Sequence, residues 1–263
     1  MTEMDTPSPD DESPHPQPRR RGIYLLPNLF TTANLFAGFF AIVSAMAGRF
    51  EAAAVAIFVA MIMDGIDGRV ARLTNTQSDF GKEYDSLVDM VSFGLAPALV
   101  MYKFALQPLG KLGWVAAFLY AAAGALRLAR FNTQATSLGK RYFQGLASPA
   151  AAALMAGFIW FCVEARVPGP DLRWLAWTLT VAAGLLMVSN IRYRSFKDVD
   201  LKGKVPFVAI IAVVLVFVLI SMNPPTVLFL LFLAYATSGP VLTLWYLRRR
   251  RRGRKISGGE PPA

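Results

Sequence analysis

"MDGIDGRVARLTNTQSDFGKEYDSLVDM", residues 63–90, begins and ends inside apolar stretches, yet it carries Asp64, Asp67, Asp85 and Asp89. Working outward, residues 52–72 and 82–104 each approach the ~20 residues that a helix needs to cross ~30 Å of hydrocarbon. Six further apolar segments lie near 23–47, 112–131, 146–164, 172–189, 205–221 and 225–247. The runs are continuous and do not alternate with period two, so helices, not barrel strands, are the expected spanning elements. The expected fold is all-α, a polytopic membrane bundle of about eight transmembrane helices.

Composition agrees with this. Of 263 residues, 55% are hydrophobic and 17% are charged, a balance foreign to a soluble domain. Residues 1–20 are rich in Pro, Asp, Glu and Ser and read as a disordered leader. Residues 21–247 read as one membrane domain, and 248–263 as a basic, flexible tail. The net charge of +10 raises the question of nucleic acid, but its distribution answers it. Of the 27 Lys and Arg, only Arg49, Lys103, Lys111, Arg166 and Arg173 fall on one set of alternate loops; the other 22 fall on the opposite set and at the two ends. Such asymmetry orients membrane proteins, and it puts both termini in the cytoplasm. With orientation accounting for the charge, no nucleic-acid partner is expected, and the polybasic tail faces anionic lipid or solvent.

The sole cysteine, Cys162, lies in an apolar run, and the sole histidine, His15, lies in the leader. A serine–histidine relay and a histidine-ligated zinc site are therefore excluded, and a cysteine nucleophile is disfavoured. Chemistry falls to carboxylates, hydroxyls, Lys, Arg or a bound metal.

The four aspartates meet that description. With 64/67 spaced i, i+3 and 85/89 spaced i, i+4, each pair shares a helix face, and two adjacent antiparallel helices point all four into one space. Four uncompensated Asp in a bilayer cost roughly 10 kcal/mol at ~2.5 to 3.5 kcal/mol each. Arg69 and Arg72 neutralise only half of that charge. Divalent cations such as Mg²⁺ or Mn²⁺ suit carboxylate oxygens and leave positions open for phosphate. Gly65 and Gly68 open the backbone of the same helix, Arg72 can fork onto phosphate oxygens, and Thr74, Thr76 and Ser78 supply hydroxyls. Two other readings fit the residues alone: Asp–Arg pairing in a packed bundle, and an ion path of a cation transporter.

The full pattern, Asp64-x2-Asp67-Gly68-x2-Ala71-Arg72-x8-Gly81-x3-Asp85-x3-Asp89, resembles the signature of the CDP-alcohol phosphatidyltransferases at every defined position. Beyond it, "LPNLFTTANLFAGFFAI" at 26–42, "RLARFN" at 127–132, "RYFQGLASPAAAA" at 141–153 and "NIRYRSFK" at 190–197 are similar to the bacterial, integral-membrane phosphatidylserine synthases within that family. The resemblance implies transfer of a phosphatidyl group from CDP-diacylglycerol to L-serine with release of CMP, in the bacterial cytoplasmic (inner) membrane and with the active site facing the cytoplasm. It implies two divalent ions, Mg²⁺ or Mn²⁺, on Asp64, Asp67, Asp85 and Asp89, with Asp89 also accepting the proton of the serine hydroxyl. It further implies donor contacts from Asn28, Thr31, Gly68, Arg72 and Ser78, and a homodimer. For the acceptor carboxylate, the candidates are Arg127, Arg130, Lys140 and Arg141 of one cytoplasmic loop and Arg192 and Arg194 of another, with Arg127 and Arg130 of "RLARFN" the preferred partners. Another acceptor, such as glycerol 3-phosphate, inositol phosphate or choline, is the alternative within the same reaction class. Asn34 reads as a polar group of helix packing.

Overall fold

The computed structural model describes residues 25–74, 78–134, 143–193 and 207–257. Among them are eight helices: α1 Leu25–Met46, α2 Phe50–Leu73, α3 Asp79–Leu109, α4 Lys111–Gln134, α5 Ser148–Glu164, α6 Arg173–Val188, α7 Phe207–Met222 and α8 Pro224–Ser257. Each coincides with one expected apolar segment, and the protein is an all-α polytopic membrane bundle. Five of these regions, Asn28–Met46, Asp79–Leu109, Lys111–Thr133, Gly169–Val188 and Pro224–Thr243, are long and apolar enough to cross a membrane. α2 has the length, at 24 residues, but Asp64, Asp67, Arg69 and Arg72 dilute its C-terminal half. α5 is apolar but only 17 residues long.

α5 is the central helix. Ala150 to Ala153, Leu154, Met155 and Ala156 are all buried, because α2 packs on one side of it and α8 on another. α1 lies along α2, and α4 along α6. Small residues make these approaches close: Ala37, Ala41 and Ala45 of α1 and Ala53, Ala56 and Ala60 of α2 are buried. At Gly38 a Cβ would fall 2.8 Å from the Ser92 Cα, so only glycine lets α1 and α3 come together there. In a bilayer, where lipid is as apolar as leucine, such van der Waals contact is a main source of helix association.

α3 differs from the straight helix expected over 82–104. It starts at Asp79 because Ser78 in extended conformation caps it, its Oγ accepting the Gly81 N–H at 3.0 Å. It then passes through π-helical turns at Met90–Leu95 and Tyr102–Leu106 and ends in a 3₁₀ turn at Gln107–Leu109. Pro97 lies between the π turns, and a proline cannot donate to the carbonyl four residues back. That carbonyl, of Phe93, instead accepts the Tyr120 hydroxyl of α4 at 3.1 Å. The same device recurs in α8. Pro240 leaves the Ala236 carbonyl without its helical donor, and the buried Tyr193 hydroxyl donates to it at 2.9 Å. Two prolines are thus tolerated inside membrane helices because tyrosines of neighbouring segments supply the missing donors.

Two-residue strands, β1 Phe143–Gln144 and β2 Arg192–Tyr193, pair antiparallel between the α4–α5 and α6–α7 connections. Gly145, with φ +79°, turns the chain from β1 toward α5; a Cβ there would collide with the Met187 carbonyl oxygen. This clasp joins connections that hydropathy marks only as polar gaps. α8 continues as helix through the basic run to Ser257, consistent with the good helix propensity of Arg and Lys. The expected leader, Thr76, Lys140, Arg141 and Arg194 lie outside the described residues.

Replacing Tyr120 or Tyr193 with Phe removes only a hydroxyl but strands a buried carbonyl. Each change is expected to lower stability by about 1–3 kcal/mol, read as a reduced thermal-unfolding midpoint in detergent. An unchanged midpoint would mean that these carbonyls need no donor.

Candidate active site

α1 begins, α2 ends and α3 begins at the same end of the bundle, and the acids gather between them. Thr31 of α1 donates from Oγ1 to Asp67 Oδ2 at 2.9 Å, a buried bond between helices. Further along the same helix, the Thr32 and Tyr84 hydroxyls meet at 3.0 Å. These bonds hold α1 against the acidic ends of both α2 and α3.

Asp64, Asp67 and Asp85 each offer a carboxylate oxygen, and the three oxygens lie within 4.8 Å of one another. Asp89, one turn beyond Asp85 on α3, stands outside that trio. Among the described residues, Asp85 Oδ1 and Asp89 Oδ1 are buried without a hydrogen-bond partner. Converging carboxylates with unshared buried oxygens are what a hard divalent cation fits: it takes only oxygen ligands, and it removes the repulsion that otherwise makes the cluster costly. The Thr31 hydroxyl fixes the orientation of the Asp67 carboxylate within this group.

Beside the trio opens a cavity of about 500 Å³. All five residues expected to contact a nucleotide donor, Asn28, Thr31, Gly68, Arg72 and Ser78, line it, together with Asp67 and Asp85. The glycines explain its shape. At Gly68 a Cβ would approach the Arg72 guanidinium nitrogens at 3.6 and 3.8 Å, so Arg72 folds back over this bare stretch of helix. At Gly81 a Cβ would sit 3.1 Å from Ser78 Oγ and 3.5 Å from Asn28 Oδ1, which brings the start of α1 against the start of α3. Gly65 faces open space, with no neighbouring atom within 4 Å of where a Cβ would stand. Asp79 and Lys82 also line the cavity. The sequence pattern marks neither, Lys82 reading as an orientation charge; its placement in the first turn of α3, one turn before Asp85, is the signal that points to it.

Arg127 and Arg130 require a correction: they lie on α4, which runs to Gln134, and not in a loop. No helix breaker occurs in "RLARFN", and arginine is a good helix former. Arg127 is largely buried, donates from Nη1 to Ser148 Oγ at 2.8 Å at the start of α5, and lies within Coulombic reach of Asp89. Its Nε is buried with no partner among the described residues. Arg130 donates from Nη2 to Asn190 Oδ1 at 2.7 Å, on the α6–α7 connection. Asn132 of the same stretch donates to Ser86 Oγ at 2.9 Å, which ties α4 to α3 between Asp85 and Asp89. The end of α4 thus forms a second wall at the acidic end, separate from the residues that line the cavity. Ser86 and Asn190, neither singled out by pattern, complete that wall.

Fold and site together define an integral membrane protein with a cation-competent carboxylate cluster at one end of a helical bundle, open to a polar cavity. The model of the CDP-alcohol phosphatidyltransferase family matches residues 24–188, and this chain belongs to that family. Among its curated relatives is the CDP-diacylglycerol--serine O-phosphatidyltransferase of Helicobacter pylori, 40% identical over 196 residues, which cover 74% of this chain and 83% of the relative. The protein of that name in Mycobacterium tuberculosis is 36% identical over 189 residues, covering 69% and 65%. The one in Bacillus subtilis is 33% identical over 172 residues, covering 65% and 91%.

Removing the Thr31 hydroxyl should disorder Asp67 without altering the ligand set. Thr31→Val is expected to weaken Mn²⁺ binding by about 10-fold or more, measured by electron paramagnetic resonance titration of the purified protein. Unchanged affinity would detach Asp67 from the cation site.

Proposed function

We propose that this chain is a metal-dependent transferase that moves the phosphatidyl group of CDP-diacylglycerol to L-serine, giving phosphatidylserine and CMP. The observation that carries the reading is the joining, in one cavity, of Asp67 and Asp85 of the carboxylate trio with every residue expected to hold the nucleotide donor. The names of the relatives, spanning Helicobacter, Mycobacterium and Bacillus, support serine as the acceptor.

Asp64, Asp67, Asp85 and Asp89 would hold Mg²⁺ or Mn²⁺, two ions by the resemblance. Bound there, the cations supply charge neutralisation at the diphosphate and at the departing phosphate. Asn28, Gly68, Arg72 and Ser78 bind the cytidine and diphosphate end: Arg72 as a fork on phosphate oxygens, Gly68 by leaving the backbone bare, Ser78 through the hydroxyl hydrogen that its capping bond leaves available. Lys82 adds a second cation to the same wall. The acyl chains stay in lipid, since the cavity lies at the bundle end.

The serine hydroxyl oxygen attacks the phosphorus that carries the diacylglycerol. Its proton passes to Asp89, a bond forms from that oxygen to phosphorus, and the bond from phosphorus to the bridging oxygen breaks with the electron pair leaving on CMP. Direct attack suits a chain whose only cysteine, Cys162, is buried away from the acids in α5. Arg127, held by Ser148 and within Coulombic reach of Asp89, is the carboxylate partner for serine. Arg130, bound to Asn190, steadies the neighbouring connection.

The asymmetry of Lys and Arg supports a cytoplasmic position for this end of the bundle and for both termini, in the cytoplasmic (inner) membrane of a bacterium. It also leaves no charge pattern that asks for nucleic acid. A homodimer is part of the same reading on the family resemblance.

Purified protein given CDP-diacylglycerol, Mn²⁺ or Mg²⁺ and L-serine is expected to release CMP in proportion to serine. Release with glycerol 3-phosphate, inositol phosphate or choline but none with serine would reassign the acceptor. Chelation with EDTA should abolish release, and Mn²⁺ should restore it. Asp89→Asn is expected to lower kcat by about 10²-fold or more while binding of CDP-diacylglycerol persists in a filter assay; retained turnover would remove Asp89 as the base.

A further inference from the structure

Asn34 of α1 is fully buried, and neither its Nδ2 nor its Oδ1 has a hydrogen-bond partner among the described residues. An unpaired buried amide is costly, and more so within a membrane. Helix packing does not account for it. A polar residue that glues membrane helices does so through its side chain, whereas here the link to α3 uses the backbone: Ser92 Oγ donates to the Asn34 carbonyl oxygen at 3.1 Å. Elsewhere on this face of α1 packing is achieved by Ala37, Gly38, Ala41 and Ala45, without any polar side-chain atom but that of Ser44.

Register shows what the amide faces. α1 and α2 run antiparallel, and Thr31 bonds Asp67; one turn deeper, Asn34 is therefore level with Asp64. α1 and α3 run parallel, with Asn28 against Gly81, Thr32 against Tyr84 and the Asn34 carbonyl against Ser92. Asn34 thus stands on the level of residues 87–89. That level holds Asp64 of α2 and Asp89 of α3, and Asp89 Oδ1 is also buried without a partner among the described residues. An unused donor and an unused acceptor share one buried layer.

We infer that Asn34 is a positioning residue for the deep carboxylate pair: during turnover its Nδ2 hydrogen-bonds the Asp89 carboxyl, holding one oxygen so that the other is turned to the acceptor hydroxyl. Catalytic hydrogen bonds are often open before substrate is seated and close in the complex. The amide suits this task because it is neutral; a lysine there would form an ion pair with Asp89 and suppress its basicity, and an aspartate would add a fifth negative charge. The inference rests on the transferase reading above, in which Asp89 accepts a proton.

Val and Thr have the same shape and differ by one hydroxyl, so Asn34→Val and Asn34→Thr share any packing defect. In full-length protein in nanodiscs, Asn34→Val is expected to lower kcat for serine-dependent CMP release by about 10- to 100-fold, with the CDP-diacylglycerol KM within about twofold and the unfolding midpoint unchanged or raised by about 2–4 °C. Asn34→Thr should recover about tenfold of that kcat. Ser44→Ala removes the hydroxyl that, beside the Asn34 amide, is the other buried polar group of α1 unpaired among the described residues, about three turns away from Asn34, and should leave kcat unchanged. Equal kcat in the Val and Thr variants, a loss of kcat that follows a loss of stability, or failure of both variants to fold would each overturn the role and assign Asn34 to the scaffold. Wild-type protein without serine-dependent release would instead remove the transferase reading itself, so the two failures are distinguishable.

Discussion

Burying several carboxylates in a low-dielectric bundle is the constraint on which the rest of this structure depends. Alone, the aspartates of α2 and α3 would repel one another and oppose insertion by an amount comparable to the whole stability of an ordinary domain. The cluster therefore has to lie at the end of the bundle, next to water, and be completed by cations and by neutral donors. Thr31 on Asp67 is such a donor. Because that bond comes from a third helix, the need to satisfy one carboxylate also sets the position of α1 against α2.

Close packing follows from the same requirement. For α1 to reach across to both acidic helices, its contact residues must be small, and Gly38 against Ser92 marks the limit of approach. α3 bends through two π turns around the site, and the first begins directly after Asp89. Such turns recur at functional positions because they re-aim side chains without ending the helix. Here the turn and Pro97 expose a carbonyl inside the membrane domain, and Tyr120 covers it. Catalytic geometry at one end is thus tied to hydrogen bonding in the middle of the bundle.

The wall formed by the end of α4 is organised differently. Arg127, Arg130 and Asn132 rise from one helix at i, i+3 and i+5 and bind Ser148, Asn190 and Ser86 on three separate segments. The end of α4 therefore serves as a hub, and the β1–β2 clasp holds two of the connections around it. This hub draws on three segments far apart in the chain, whereas the cavity is lined by the end of α2, the start of α3 and the start of α1.

Much of this was legible from residues alone because the relevant signals are local. Apolar run length marked eight helices, and the i, i+3 and i, i+4 spacings marked which faces carry the acids. The five residues expected to contact a donor, although split between α1 and the 64–89 stretch, line one cavity. What the chain's order could not express were relations between distant segments: that Arg127 and Arg130 extend a helix, that Lys82 and Asp79 turn into the cavity, that tyrosines complete the proline carbonyls, and that Asn34 lies unpaired on the level of Asp89. By itself, then, the sequence determined the membrane class, the helix order and the carboxylate chemistry, since these depend on hydrophobicity and on spacing within a helix. Only the tertiary structure decided that the Thr31 hydroxyl meets Asp67 and which other polar groups stand around the acids, because that depends on helix register and close approach between segments far apart in the chain.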